Sequence, residues 1–354
     1  MPDQPEITIE ARSRLGLITL DRPDALNALT LAMVREMRVA LDRFARDEAI
    51  ACVAVRGAGG KAFCAGGDIQ SIYRQKEIGR PEEALVFWAE EYDLDRRIKR
   101  FPKPYLAFID GIVMGGGVGV SIHGSHRIAG ERFQFAMPEV GIGFFPDVGA
   151  TYALPRLPWR SGYWLALTGA RIGRGTACAL GLATDSVASS RFEAIIEALA
   201  AGEPAAAVLS REAVAAGEAP ELAHAELIAR CFAGVTIESI LEALDKAASE
   251  GSGFARGAAS ALRAKSPTSL KVTIGALDRG RKLEFEEAMR LEYRICSRII
   301  EGHDLYEGIR AQVIDKDRNP RWQPQALALV SAEVVDRHFA PLGARELSFG
   351  DRVA

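Results

Sequence analysis

What this chain lacks narrows its chemistry before any motif is read. It has only five cysteines in 354 residues. Cys52, Cys64, Cys178, Cys231 and Cys296 are odd in number and widely spread, with no C-x-x-C pair. That excludes a disulfide-stapled scaffold and leaves reduced thiols as the expectation. Histidine is as scarce. His123 and His126 stand three apart with no further ligand nearby, so no metal site is expected. No apolar run approaches the roughly 18 to 20 residues that span a bilayer, and no membrane partner is expected. The opening MPDQPEITIE has neither the basic nor the apolar region of a secretory leader. Together with the reduced thiols, this predicts a cytoplasmic protein. A net charge of −3 argues against a general nucleic-acid binder. There is no G-x-S-x-G elbow for a serine hydrolase. The glycines from Gly115 onward also miss the dinucleotide-binding spacing, with Ile122 where another glycine would be needed.

What is present is an ordinary apolar fraction and enough length for one large domain or two. Ile7 to Leu20 reads as two strands around a turn at Arg12–Arg14, and Thr30 to Arg46 as an amphipathic helix capped by Thr30. Strands are predicted at Ala51–Arg56, Pro104–Ile109, Arg127–Ala129 and Phe133–Ala136. Helices are predicted at Pro81–Arg100 and from Gly116 to His123. This succession points to an α/β architecture through the first 190 residues. Beyond it, alanine, glutamate and leucine dominate. Ser189 to Ala248 reads as helix broken at Gly202–Pro204 and Gly217–Pro220. GSGFARG (251–257) reads as a linker, Ser266 to Glu301 as strongly helical, and the stretch from Pro320 as an irregular tail. The expected division is residues 1–190 as the core that holds the site and 191–354 as a helical region closing it.

Two glycine loops carry the chemistry. Cys64-Ala65-Gly66-Gly67-Asp68 and Met114-Gly115-Gly116-Gly117 each let a backbone N–H approach a ligand without a side chain in the way. Two converging N–H groups form an oxyanion hole. Each loop read alone is equally a tight turn. Glu139 and Asp147 follow eight residues apart, both beside proline in apolar sequence. Desolvation there would raise a carboxyl pKa and suit acid–base or nucleophilic use. A turn or cap carboxylate is the plainer reading of either one. Of Glu90 and Glu91 on their helix, one is expected to face inward.

These segments resemble the crotonase, or enoyl-CoA hydratase/isomerase, superfamily. The matching runs are RPDALNAL (22–29), KAFCAGGD (61–68), PKPYLAFIDGIVMGGGVG (102–119) and AMPEVGIGFFPDVG (136–149). Later runs, SPTSLKVT (266–273), LEYRICSRIIEGHDLYEGIRA (291–311) and IDKDRNPRWQP (314–324), resemble the branch that hydrolyses 3-hydroxyisobutyryl-CoA in valine breakdown. The resemblance implies a spiral of β-β-α units with a C-terminal helical region. It implies an acyl-CoA thioester as partner, no cofactor beyond the coenzyme A of the substrate, and assemblies of three or six copies. By it, Gly67 and Gly116 form the oxyanion hole, and Glu139 and Asp147 are catalytic. Glu91, Asn27, Ala28, Leu29, Cys64, Ala65, Gly66 and Asp68 bind substrate. Hydratases of the family carry a first glutamate two residues after the triple glycine. Here that position is Gly119, so a thioester hydrolase is expected, with double-bond isomerase or hydratase as the alternative. Because a fold does not fix a function, a non-catalytic member is a third reading.

Overall fold

The computed structural model describes residues 5–350. Strands β1 (Ile7–Arg12) and β2 (Leu15–Leu20) form an antiparallel hairpin, turned at Ser13 with positive φ. The chain then winds in turns that each give one strand to each of two sheets. β3 (Cys52–Gly57), β5 (Tyr105–Ile109) and β7 (His126–Ala129) continue the first sheet in parallel. β4 (Ala62–Cys64), β6 (Ile112–Met114) and β8 (Gln134–Ala136) build the second. β9 (Ile172–Gly173) and β10 (Asp185–Ser186) complete them, giving orders β1-β2-β3-β5-β7-β10 and β4-β6-β8-β9. This is the expected spiral of β-β-α units. β4 and β6 are not among the strands predicted from sequence, and their three residues each run directly into the glycine loops.

Helix α1 (Leu31–Arg46) begins where Thr30 accepts a hydrogen bond from the Met33 N–H. Met33, Val34, Met37, Leu41 and Phe44 recur at helical spacing and are buried. Helix α2 (Ile69–Glu77) starts at Asp68, whose carboxylate caps the Ser71 N–H. Helix α3 (Glu83–Lys99) packs on α1, and α4 (Gly116–Ile122) opens on the triple glycine.

The helices that follow residue 190 begin by covering the sheet. Ile195, Ile196 and Leu199, with Val208 and Leu209, pack on Leu15, Leu17, Leu106 and Phe108 of the first sheet's outer face. Two local expectations are corrected, and a third is resolved into finer detail. Residues 251–257 are not a linker, because Ser252 caps the Ala255 N–H and starts helix Gly253–Arg263. Ala255, Ala258, Ala259 and Leu262 give that helix a buried stripe. Ser266 to Glu301 is two helices, Pro267–Gly280 and Phe285–Ile299. The tail contains helix Ala332–Phe339, capped by Ser331. No helix among the described residues is long and apolar enough to cross a membrane.

Candidate active site

The two glycine loops meet because β4 and β6 are neighbours in the second sheet. Leu29 donates its N–H to the Gly66 carbonyl and accepts from the Asp68 N–H, at 2.8 and 2.9 Å. In this parallel bridge the intervening Gly67 turns its own N–H away from Leu29. Gly116 is the first residue of α4, so no carbonyl one turn back is available to its N–H. A Cβ on Gly116 would stand 3.4 Å from the Gly67 nitrogen and would collide with Glu91 Oε1. A side chain at 116 would have to displace the Glu91 carboxyl group, and the two free donors face a common space.

That space is a cavity of about 140 Å³ lined by Gly67, Gly116, Glu91, Glu139 and Asp147. Ala65 and Gly66 lie at its edge, and Ile69, Ile72, Phe87, Trp88, Phe144 and Leu305 supply an apolar wall. Trp88 and Phe144 stack at 5.2 Å. Leu305 comes from the helical region, so the site draws on both halves of the chain.

The remaining positions named from sequence lie outside this wall. Asn27 is fully buried, and its amide is used up in the fold. It accepts from the Arg22 N–H and donates to the Ala58 and Ala62 carbonyls, fastening the β4 loop. Ala28 gives its carbonyl to the Arg22 guanidinium. Leu29 reaches toward Gly116 from behind. Cys64 is buried, and burial pushes its thiol up to about 12, so it is no nucleophile. Asp68 caps α2 and pairs with Arg22 at 3.3 Å.

Glu91 is the inward member of its pair, at 2% exposure. Glu90 instead meets Arg35 and Arg38 of α1 at 2.6 and 2.8 Å, which lowers its pKa through the Arg35 hydrogen bond first. The inward face of α3 also carries Asp95, one turn beyond Glu91, and Tyr92, neither of which sequence reading singled out. Asp95 is fully buried with both oxygens unpartnered. Tyr92 donates to Asp147 Oδ2 at 2.7 Å. Glu292, on helix Phe285–Ile299, accepts from the Gly149 N–H at 2.8 Å, the Thr151 N–H at 3.0 Å and the Thr151 hydroxyl. It thereby clamps the turn that follows Asp147. Two signals could have found these groups: the i, i+4 spacing of Glu91 and Asp95, and the place of Glu292 at helical spacing among Phe285, Met289, Ile295 and Ile299.

The result is a buried cluster of five carboxyl groups: Glu91, Asp95, Glu139, Asp147 and Glu292. Burial raises all of them. Asp147 is pushed up to about 7, against the lowering effect of the Tyr92 hydrogen bond. Glu292 is pushed up to about 8 by burial and then by Asp147, against its three donors. Glu91 and Asp95 stand well above the carboxylate range through burial and then their acidic neighbours, and Glu139 through burial and then Asp147. Like charges this close cannot all ionise, so the cluster holds protons near neutral pH. Glu139 has one oxygen with no partner and lies across the cavity from nothing basic. His123 is no participant. Its Nε2 bonds the Val148 carbonyl at 2.7 Å, and burial lowers it to about 3. The carboxyl groups do not form a metal cage: no such group of ligands occurs among the described residues.

Two mitochondrial 3-hydroxyisobutyryl-CoA hydrolases are similar to this chain over 97% of its length and 91% of theirs. That of Rattus norvegicus is 42% identical and that of Homo sapiens 41%. Among solved structures, a carnitinyl-CoA dehydratase from Mycobacterium thermoresistibile superposes with a TM-score of 0.93 at 38% identity. It covers 99% of this chain and 100% of its own. An enoyl-CoA hydratase from Rhodobacter sphaeroides gives 0.91 at 41%, covering 98% and 100%. The expectation of a cytoplasmic protein is corrected by the mitochondrial location in the names of the relatives. Reduced cysteines cannot distinguish one reducing compartment from another, which is why composition misled. The sequence profile of the enoyl-CoA hydratase/isomerase family matches residues 15–339, and the chain belongs to that family.

Proposed function

We propose that this protein hydrolyses the thioester of a 3-hydroxyacyl-CoA, 3-hydroxyisobutyryl-CoA foremost, releasing the hydroxy acid and free coenzyme A in valine catabolism. The observation that carries this reading is one cavity that joins two free backbone donors to Glu139 and Asp147, with no acid at position 119. The thioester carbonyl sits between the Gly67 and Gly116 N–H groups, which stabilise the oxyanion as the carbonyl carbon becomes tetrahedral. Glu139, in its ionised form, drives that change by attack on the carbon or by deprotonating a water that attacks. In the first route a mixed anhydride forms as the C–S bond breaks, and water then cleaves it to restore the carboxylate. The thiolate of coenzyme A leaves and takes up a proton. Asp147 accepts a hydrogen bond from the 3-hydroxyl and sets the acyl chain against Glu139. The names of the similar hydrolases support the substrate.

The similar solved structures, a carnitinyl-CoA dehydratase and an enoyl-CoA hydratase, favour a second reading, hydration of an enoyl-CoA. Two-glutamate hydration needs a carboxylate at position 119. A Cβ there would come within 2.8 Å of Asp95 Oδ1 and of Val148, so the packing has closed that position to any side chain. Thiol release from 3-hydroxyisobutyryl-CoA, set beside loss of enoyl absorbance from an enoyl-CoA, separates the two. Enoyl turnover without thiol release would overturn the hydrolase reading.

A further inference from the structure

Only one oxygen of Asp147 carries a side-chain hydrogen bond among the described residues. Oδ2 is 2.7 Å from the Tyr92 hydroxyl, fully inside the protein, while the residue also lines the cavity. Behind Tyr92 stands Cys296 of helix Phe285–Ile299, with Sγ 3.0 Å from the same hydroxyl oxygen. A tyrosine has one proton to donate. While Asp147 is ionised that proton points to Oδ2, and the thiol must donate to Tyr92. The chain Cys296 to Tyr92 to Asp147 therefore runs in one direction and ends on a charged acceptor. The carboxylate lies among Glu91 and Asp95 of α3, Glu139, and Glu292 beside Cys296. His123 reaches only the neighbouring carbonyl and is neutral. Every other ionisable neighbour is an acid, so Tyr92 is the one side chain that bonds Asp147 and favours its charged form.

We propose that Tyr92 is a positioning residue for substrate selection: it engages Asp147 Oδ2 and so fixes the carboxyl group with Oδ1 left to receive the 3-hydroxyl of the acyl group. Tyr92 touches no substrate and lies outside the cavity wall. This rests on the hydrolase reading for its substrate, and on the geometry alone for its effect on Asp147. Without the tyrosine proton the carboxyl turns toward its neutral form and rotates freely, so recognition of the hydroxyl weakens.

The test is Tyr92→Phe, which keeps the ring and removes the donor. For 3-hydroxyisobutyryl-CoA, kcat/KM near neutral pH should fall roughly tenfold to a hundredfold, the range for a hydrogen bond to a charged group. For isobutyryl-CoA it should change by no more than a few-fold. The acid limb of the pH profile should move to higher pH. Tyr92→3-fluorotyrosine keeps the fold and donates more strongly, so it should move the limb the other way. An infrared titration of the Asp147 carboxyl, taken as the difference between wild type and Asp147→Asn, reads the same midpoint without substrate. It stays informative if wild type releases no thiol at all, an outcome that would sink the hydrolase reading instead. An unchanged ester ratio, or midpoints that do not move in opposite directions in the two variants, overturns the proposal.

Discussion

The two walls of the cavity are built on opposite principles. One presents the Gly67 and Gly116 backbone N–H groups and carries no ionisable atom. The other gathers Glu91, Glu139 and Asp147 in front of Asp95 and Glu292, all buried. The first is set by strand pairing and a helix start, so its strength does not change with pH. The second is held against electrostatic preference by packing, so its state depends on pH and on every neighbouring acid. The backbone wall can wait for negative charge, whereas the acid wall must give up protons before it can act. On the proposed mechanism the oxyanion forms on the first, and the nucleophile or base comes from the second.

The comparison breaks most visibly at Glu139. Glu139→Gln preserves shape and removes the charge, and kcat should fall by roughly 10²- to 10⁴-fold while coenzyme A affinity holds. A variant that turns over like wild type would reduce Glu139 to a structural acid. Reaction in ¹⁸O-water then tells nucleophile from base: attack of water on the Glu139 carbonyl of an anhydride leaves label in the glutamate.

On the backbone wall, Gly116→Pro deletes one donor at the first helical position, where proline is best tolerated. Hydrolysis should fall by about 10² to 10³, equally at every pH, because nothing on that wall titrates. The variant also crowds Glu91, so circular dichroism must show it folded. A folded Gly116→Pro protein with a shifted pH profile would mean that the walls are not independent.

A smaller effect is expected at Asp147. Asp147→Ala should cut the preference for 3-hydroxyisobutyryl-CoA over isobutyryl-CoA by roughly tenfold to a hundredfold. The alternative is a turn-capping role at Val148-Gly149, which would cost stability and keep the ratio. Measuring kcat/KM for both esters decides between them.

The smallest expected effect concerns stability. Asp147 at about 7 and Glu292 at about 8 lie above their ordinary values of 3.8 and 4.5, so the folded state binds more protons than the unfolded chain. Their contribution is fully present below the unfolded values and is lost as pH rises toward 7 and 8. Asp95 has a pKa raised in the same direction and no hydrogen-bond partner. Asp95→Asn should therefore raise the melting temperature at pH 8 by a few degrees, with the gain shrinking toward pH 4. A gain independent of pH would show that Asp95 is not part of the acid wall's proton balance.

Much of the frame was legible in the sequence. The β1–β2 hairpin, α1 with its Thr30 cap, and β5 declare themselves by period and punctuation. β4 and β6 do not, since their three residues run straight into glycine, and they are the strands that bring the glycine loops together. Ser252 was hidden by the two glycines around it, although a capping serine before an alanine stripe is a helix start.

The sequence by itself determined which groups were on offer: glycines where backbone must approach a ligand, Glu139 and Asp147 in one short segment, and Gly119 where an acid would make a hydratase. These are local facts, fixed by residue type and spacing along a few turns of chain. Only the tertiary structure decided which of Glu90 and Glu91 enters the site. Adjacent residues on a helix point about 100° apart, and the packing of α1 gives one of them arginines and the other the cavity. It also brought Glu292 and Cys296 from some 150 positions away to stand behind Asp147 and its tyrosine. Burial of an acid depends on everything packed around it, and no window of sequence contains that.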